Sequence, residues 1–154
     1  MANAGGNRDL GKLMRRTGEG PGARRSLERA FKDDPFDQQT FNSLTLLDTL
    51  DKFETITDGD LIFRFDPSEA AVMREHAIPL AKEAMATLSK RYNFTPMGPI
   101  LIEMFPKHDD FAVRTIGLPG FIGALGACFC RGVTPHSPRR SVLRTSKPVG
   151  VFRR

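Results

Sequence analysis

The side chains best suited to metal binding or nucleophilic chemistry in this chain are three histidines and two cysteines. A helical zinc peptidase motif needs two histidines four residues apart, with a glutamate beside the first to deprotonate the metal-bound water. His76 has Val72 and Leu80 at those spacings, and neither His108 nor His136 has a second histidine at helical spacing. No serine lies in a Gly-x-Ser-x-Gly turn. We therefore predict no catalytic residue and no metal ligand in this chain.

Structural roles account for these residues. Asp109 or Asp110 is expected to cap a short helix, and His136, flanked at short range by prolines, is expected in an exposed loop. Cys128 and Cys130 are separated by one residue, so a disulfide between them would be strained. We interpret both as ordinary thiols in a strand.

The net charge of +5 is concentrated at one end of the chain. Residues 131–154 hold seven Lys or Arg residues and no Asp or Glu, whereas residues 1–130 hold 16 basic and 18 acidic groups. The basic segment lacks apolar periodicity, which predicts a disordered tail. No apolar run approaches the roughly 18 residues of a membrane span, and no secretory signal is present. We expect no membrane association and, by default, a cytoplasmic location.

The first elements are helical. Two helical segments flank residues 17–22, and Ala23, Leu27 and Ala30 form one apolar stripe at helical spacing. Together with Leu10, Gly11, Met14 and Pro35, this stripe resembles one tetratricopeptide repeat, with Asn7 where the repeat usually has Trp. A third helix is predicted over 36–53, capped by Asp37, with an apolar face made of Phe41, Leu44, Leu47 and Leu50.

The central elements predict a small sheet. Leu61–Phe65 alternates as a strand, Asp66 and Pro67 open a long helix that ends at Asn93, and residues 100–105 form a second apolar strand. A strand, a helix and a strand of these lengths predict a parallel βαβ unit. Residues 123–129 predict a strand with little side-chain bulk, which suits an edge that holds an extended peptide.

These elements predict an α+β fold in four parts. Residues 1–36 form a helical hairpin, 37–58 a linker helix, 59–130 a small mixed sheet covered by the long helix, and 131–154 a disordered basic tail. We expect one face or edge of the sheet to remain uncovered, which favours self-association.

The order of motifs is similar to the front half of the peptidase-MA-like (gluzincin) zinc metallopeptidase domains found behind tetratricopeptide repeats. The resemblance covers roughly residues 7–138 and is carried by Leu61–Asp66, Arg91–Phe94, Pro99–Pro106, His108–Arg114, Gly117–Gly120 and Gly123–Phe129. It implies that this half supplies the substrate side of a cleft, and that zinc is bound only in a full-length relative. The implied peptide-binding edge consists of Gly123, Ala124, Leu125, Gly126 and Ala127.

Three functions follow from these patterns, in order of preference. The first is the substrate-side part of a metallopeptidase-like protein, inactive alone because the zinc motif is absent from this sequence. The second is a protein interaction module that uses the helical hairpin or the 123–129 edge. The third is nucleic-acid binding through the basic tail, which we rank last because only Phe152 offers an aromatic surface there.

The abrupt change of composition after residue 130 suggests a lost reading frame between Cys130 and Arg140, or a split gene. Under this hypothesis the downstream DNA encodes His-Glu-x-x-His in another frame. Its absence within a few dozen codons would contradict the hypothesis.

A peptide or protein segment remains the expected partner in each of the first two functions.

Overall fold

The computed structural model describes residues 4–17, 20–120 and 123–137, which form five helices and one sheet of five strands. The predicted α+β fold class is confirmed. The helices are α1 (Ala4–Thr17), α2 (Gly20–Asp33), α3 (Gln38–Leu50), α4 (Ala70–Tyr92) and α5 (His108–Ile116). The strands are β1 (Glu54–Asp58), β2 (Leu61–Phe65), β3 (Ile100–Met104), β4 (Gly126–Phe129) and β5 (Gly132–Pro135).

The sheet is mixed, with the strand order β1-β2-β3-β5-β4. β1 and β2 form an antiparallel hairpin, in which Asp58 pairs with Leu61 across a two-residue turn. β2 and β3 are parallel over their full length, as the βαβ pattern predicts. β5 is parallel to β3, and β4 returns antiparallel to β5. The described sheet therefore ends in β1 on one side and in β4 on the other.

Close packing of α1 on α2 supports the predicted helical hairpin. The predicted stripe of Ala23, Leu27 and Ala30 is buried, with at most 2% of each side chain exposed. A Cβ atom on Gly11 would lie 2.7 Å from Leu27 Cγ, so the absence of a side chain at Gly11 permits this approach of the two helices. Leu27 thereby joins the apolar cluster that also contains Leu46 and Phe105.

Asp37 caps α3 as the sequence predicts. Its carboxylate accepts hydrogen bonds from Gln39 N–H at 3.3 Å and from the Thr40 hydroxyl at 2.5 Å. Burial raises the pKa of Asp37, but the hydrogen bond from Thr40 and the charge of Arg8 outweigh burial and leave the pKa below its ordinary value. The predicted apolar face is wrong at Phe41, which is 55% exposed. The buried face instead comprises Thr40, Ser43, Leu46, Leu47 and Leu50.

Two apolar clusters cover opposite faces of the sheet. The larger one, the main core, lies between the helices α2, α3 and α5 and the end of β3. It contains Leu27, Leu46, Leu47, Leu50, Phe53, Phe105, Phe111 and Val113. The other lies between β2 and the start of α4, and it contains Leu61, Phe63, Phe65, Ala70 and Met73. Because Leu27 and Phe105 share a cluster, the helical hairpin and the sheet region pack as neighbours. α4 covers its face sparingly, since Leu80 and Tyr92 are each 67% exposed.

The helix α4 begins later than the Asp66 cap predicts. The Asp66 side chain accepts a hydrogen bond from Ser68 N–H at 2.9 Å, and Glu69 N–H donates to the Asp66 carbonyl at 3.0 Å. These bonds form a turn ahead of the helix, so Asp66 begins a turn and the helix starts at Ala70. The predicted end is confirmed, because Asn93 adopts the left-handed conformation with φ of 47°.

The strand boundaries differ from the prediction in three places. β1 occupies the end of the predicted linker region 37–58, because Gly59 and Asp60 form the turn of a hairpin rather than a simple break after a helix. The predicted 123–129 strand begins only at Gly126. The predicted tail begins with β5, since Gly132–Pro135 pairs with both β3 and β4. Residues 138–154 of that tail lie outside the described residues.

The length and hydropathy of the helices can be compared with the prediction of no membrane span. Within the described parts of the chain, the helices are too short or too polar to cross a bilayer.

Candidate functional site

The predicted peptide-binding residues lie at the β4 end of the sheet. Gly126 and Ala127 are in β4, while Gly123, Ala124 and Leu125 form the segment that leads into it. Gly123 has φ of 100°, a conformation that L side chains rarely adopt. Ala124 and Ala127 pack against the main core, whereas Leu125 is 72% exposed. The five residues therefore form one continuous segment whose alanines anchor it.

Backbone hydrogen bonds show toward which neighbouring strand the residues of β5, and the two residues after it, direct their N–H and C=O groups. Ser137 N–H donates to Phe105 C=O at 2.8 Å, and Phe105 N–H donates to Pro135 C=O at 3.2 Å. Pro135 and Ser137 therefore direct their backbone groups toward the extension of β3. His136 N–H donates in the other direction, to Leu125 C=O at 2.8 Å. Backbone groups alternate in direction along this strand, as regular pairing requires.

The same alternation defines the outward groups of β4. Leu125 faces β5, so Ala127 and Phe129, at two-residue intervals, also direct their N–H and C=O groups toward β5. Gly126 and Cys128 lie between them and direct N–H and C=O groups to the open side. Two donors and two acceptors thus line the edge, and a further strand placed there could pair with all four.

Side chains leave this edge accessible. Gly126 and Cys128 are exposed, and residues 123–130 include no charged residue. A Cβ atom on Gly126 would have its nearest neighbours at 3.7 Å, so an alanine would fit there. Beyond β4, Cys130 has φ of 52°, which is uncommon for a residue other than glycine. Both cysteines are free thiols, but only Cys128 lies in a strand as predicted, because β4 ends at Phe129 and Cys130 belongs to the turn.

A buried ion pair supports the strands behind this edge. Arg114 on α5 and Glu103 on β3 are only 1% and 2% exposed, and Arg114 Nε donates to Glu103 Oε2 at 2.5 Å. Arg114 Nη1 is buried and has no hydrogen-bond partner among the described residues. The pair fixes α5 against β3, the strand with which β5 pairs. Loss of Glu103 would leave the buried charge of Arg114 uncompensated.

Arg64 on β2 is a second partner of Glu103. Its Nη1 donates to Glu103 Oε1 at 3.0 Å, and the two residues are neighbours in the parallel register. This cluster of Arg64, Glu103 and Arg114 was not predicted from the sequence. One charged residue inside each of the apolar segments Leu61–Phe65 and Ile100–Met104 was the available signal, because a buried charge in a strand requires a partner.

The fold brings together two histidines that the sequence treats separately. The rings of His108 and His136 have centroids 5.4 Å apart, and both pack against Phe111. The exposed-loop prediction for His136 is wrong, because β5 and its bridge to Phe105 carry this residue to a half-buried position. The predicted cap at Asp109 or Asp110 is wrong, because Lys107 is the N-cap residue of α5 and both aspartates lie in its first turn. Burial raises the pKa of Asp110, and the charges of Asp109 and Asp66 also raise it, against the opposite effect of Lys107.

The described residues do not fit the zinc site that the family resemblance implies for a full-length relative. His76 is exposed on α4, on a different element from His108 and His136. Within residues 4–17, 20–120 and 123–137, no three His, Cys, Asp or Glu side chains form a group that could hold a metal ion. We therefore derive no chemical step through zinc.

Comparisons of the chain with protein-family models, with curated proteins and with solved structures return no match.

Proposed function

We propose that this chain binds an extended peptide along β4, as the substrate-side part of a metallopeptidase-like protein. The observation that carries the proposal is the uncharged outer strand whose Gly126 and Cys128 direct backbone donors and acceptors away from the sheet. In this proposal any catalytic zinc ligands come from residues outside this sequence. The chain itself is predicted to have no peptidase activity.

The binding mode is addition of a sixth strand. A peptide that pairs with Gly126 and Cys128 forms up to four main-chain hydrogen bonds, each worth about 0.5–1.5 kcal/mol net. Association costs at least about 4 kcal/mol in lost translational and rotational freedom. Main-chain pairing therefore gives weak binding, and apolar contacts with the exposed Leu125 and Cys128 side chains supply the remaining affinity.

A matched pair of variants tests this mode. Cys128→Pro removes the outward N–H at the centre of the edge, whereas Cys128→Val keeps the N–H and suits a strand. The probe is an acetylated and amidated peptide of alternating Val and Thr, titrated against the full chain by calorimetry. We expect Cys128→Pro to weaken binding at least about tenfold, the effect of one lost pairing site, and Cys128→Val to bind as the parent does.

A second control uses the peptide. Methylation of the peptide nitrogens that pair with β4 removes donors without changing the protein, and we expect it to weaken binding as Cys128→Pro does. Equal binding of the two Cys128 variants and of the two peptides would contradict the proposal. The folded state of each variant is checked by the thermal unfolding midpoint before titration.

The interaction-module alternative is favoured by a different surface. Leu10 and Leu13 on α1 are 44% and 55% exposed, on a helix that packs closely on α2. A single tetratricopeptide-like unit needs neighbouring units to bury such residues. Replacing both leucines with Gln should abolish capture of a helical partner and leave peptide binding at β4 unchanged.

A further inference from the structure

A cavity of about 430 Å³ lies between α2, α3 and the β1–β2 hairpin, away from β4. Its apolar wall is formed by Leu47, Leu50 and Phe53, each less than 9% exposed, so the wall belongs to the packed core. Arg64 lines the same cavity and is 28% exposed, which leaves part of its guanidinium accessible. The cavity lining thus combines a rigid apolar wall with the positively charged side chain of Arg64.

Charge balance around Arg64 favours an anion. Arg64 and Arg114 share the single carboxylate of Glu103, and no other carboxylate pairs with either guanidinium in the described part of the chain. The three side chains carry two positive charges and one negative charge. Arg114 and Glu103 form a close buried pair, so the excess positive charge lies on the partly exposed Arg64. An anion on Arg64 would balance the cluster.

The other cation of the cavity is already paired with two carboxylates, so that group carries one net negative charge. Arg24 donates to Asp48 at 2.8 Å and to Asp51 at 2.7 Å, and Arg24 and Asp51 lie at the cavity as a pair. The Arg64 Nη1 atom is held by Glu103, while its Nε and Nη2 make no hydrogen bond within residues 4–17, 20–120 and 123–137. A planar guanidinium with two adjacent donors matches a carboxylate in a bidentate arrangement.

We propose that this cavity binds an organic carboxylate that bears an apolar group, with the carboxylate on Arg64 and the apolar group against Leu47, Leu50 and Phe53. Thr55, the β1 neighbour of Arg64, lines the cavity beside the carboxylate and offers a hydroxyl. The ligand is either a small organic acid or the carboxyl terminus of a peptide. This site is separate from β4 and does not depend on peptide addition there.

The test compares ligands that differ only in charge. The probes are 3-phenylpropionate and its neutral amide, and the peptide Ala-Ala-Phe with a free or amidated carboxyl terminus, each titrated against the isotope-labelled full chain by NMR. We expect each carboxylate to bind at least about tenfold more tightly than its amide, as the loss of a charge-assisted hydrogen bond predicts. Tighter binding of the peptide assigns the ligand to chain termini, and tighter binding of phenylpropionate assigns it to small acids.

Arg64 variants locate the site. Arg64→Gln should abolish the preference for carboxylates, whereas Arg64→Lys should retain part of it through charge without the bidentate geometry. Arg74→Gln is the matched control, because Arg74 lies on α4 in an exposed pair with Glu54 and should leave the preference unchanged. If Arg64→Gln does not fold, the proposal is tested by Arg64→Lys and by the comparison of each carboxylate with its amide. No binding to the parent chain, equal binding of acid and amide, or an unchanged preference in Arg64→Lys would overturn the proposal.

Discussion

The two edge strands of the sheet present the same number of unpaired backbone groups but carry different side chains. At one end, the pairing of Asp58 with Leu61 directs the N–H and C=O groups of Thr55 and Thr57 outward, because pairing alternates along β1. At the other, Gly126 and Cys128 have the equivalent position on β4. Both edges thus offer two donors and two acceptors, and the difference lies in their side chains.

Charges surround the β1 edge and are missing from β4. β1 begins with Glu54 and ends with Asp58, which pair with Arg74 at 3.3 Å and with Lys82 at 2.7 Å on α4. Such charges at an edge disfavour addition of another strand, which would have to desolvate them. β4 and the segment before it contain only uncharged, mostly small residues. The contrast indicates that β1 is a protected edge and β4 an edge suited to pairing.

The largest expected effect comes from removing the buried charge that supports β4. Glu103→Gln leaves Arg114 buried without a countercharge, so we expect the free energy of unfolding to fall by about 3–5 kcal/mol in urea denaturation. Amide hydrogen exchange should increase more in β4 and β5 than in β1. The matched control is Glu54→Gln, which breaks an exposed pair and should cost about 0.5 kcal/mol or less. A loss under about 1 kcal/mol for Glu103→Gln would contradict the supporting role.

A charge transferred to β4 should make the two edges alike. Cys128→Lys places an ammonium group at the open edge, and we expect it to weaken peptide binding and any self-association about tenfold, or about 1.4 kcal/mol. Sedimentation equilibrium and calorimetry measure the two quantities. Cys128→Ser, which is uncharged, is the control and should weaken both far less, because it loses only the apolar contact of the thiol. Equal effects of Lys and Ser would show that the thiol, and not the absence of charge, determines pairing.

The Asp37 cap should affect both edges equally, because it acts through α3 and the common core. Asp37→Ala should lower the free energy of unfolding by about 1 kcal/mol at neutral pH, and Asp37→Asn should retain most of the capping. Since the folded-state pKa of Asp37 is lowered, its ionised form stabilises the fold above the ordinary pKa of 3.8, and this part is lost as pH falls through the folded value. The difference between parent and Asp37→Ala should therefore narrow in acid denaturation series below pH 3.8. A constant difference would contradict the assignment.

The smallest effect is expected at the turn that joins β4 to β5. Cys130 has φ of 52°, where a glycine carries no steric cost, so Cys130→Gly should raise the free energy of unfolding by about 0.5 kcal/mol. Cys130→Ala is the control for loss of the thiol and should not stabilise. Thermal unfolding distinguishes the two variants. If Cys130→Ala stabilises the fold as much as Cys130→Gly does, backbone strain at Cys130 is not the cause of the stabilisation.

Local patterns predicted the elements that carry strong periodicity or caps. The Ala23, Leu27 and Ala30 stripe, the Asp37 cap, the parallel pair of strands and the left-handed Asn93 are all present in the structure. The fold class followed from these because each signal depends on neighbouring residues only.

Elements that depend on distant partners were not predictable. β5 is four residues long, contains Pro135 and lies in a basic segment, so its pairing with β3 has no local signal. The outward direction of Gly126 and Cys128 follows from that pairing, and so do the contact of His108 with His136 and the bridge from Phe105. The predicted site segment was therefore found by composition, while its hydrogen-bonding direction required the fold.

Amide hydrogen exchange of the two edges, measured with and without the Val and Thr peptide at saturation, tests the central claim most directly. The account predicts slowed exchange at the amides of Gly126 and Cys128 and unchanged exchange at those of Thr55 and Thr57. Protection at the β1 amides, or none at β4 while the peptide is bound, would contradict it.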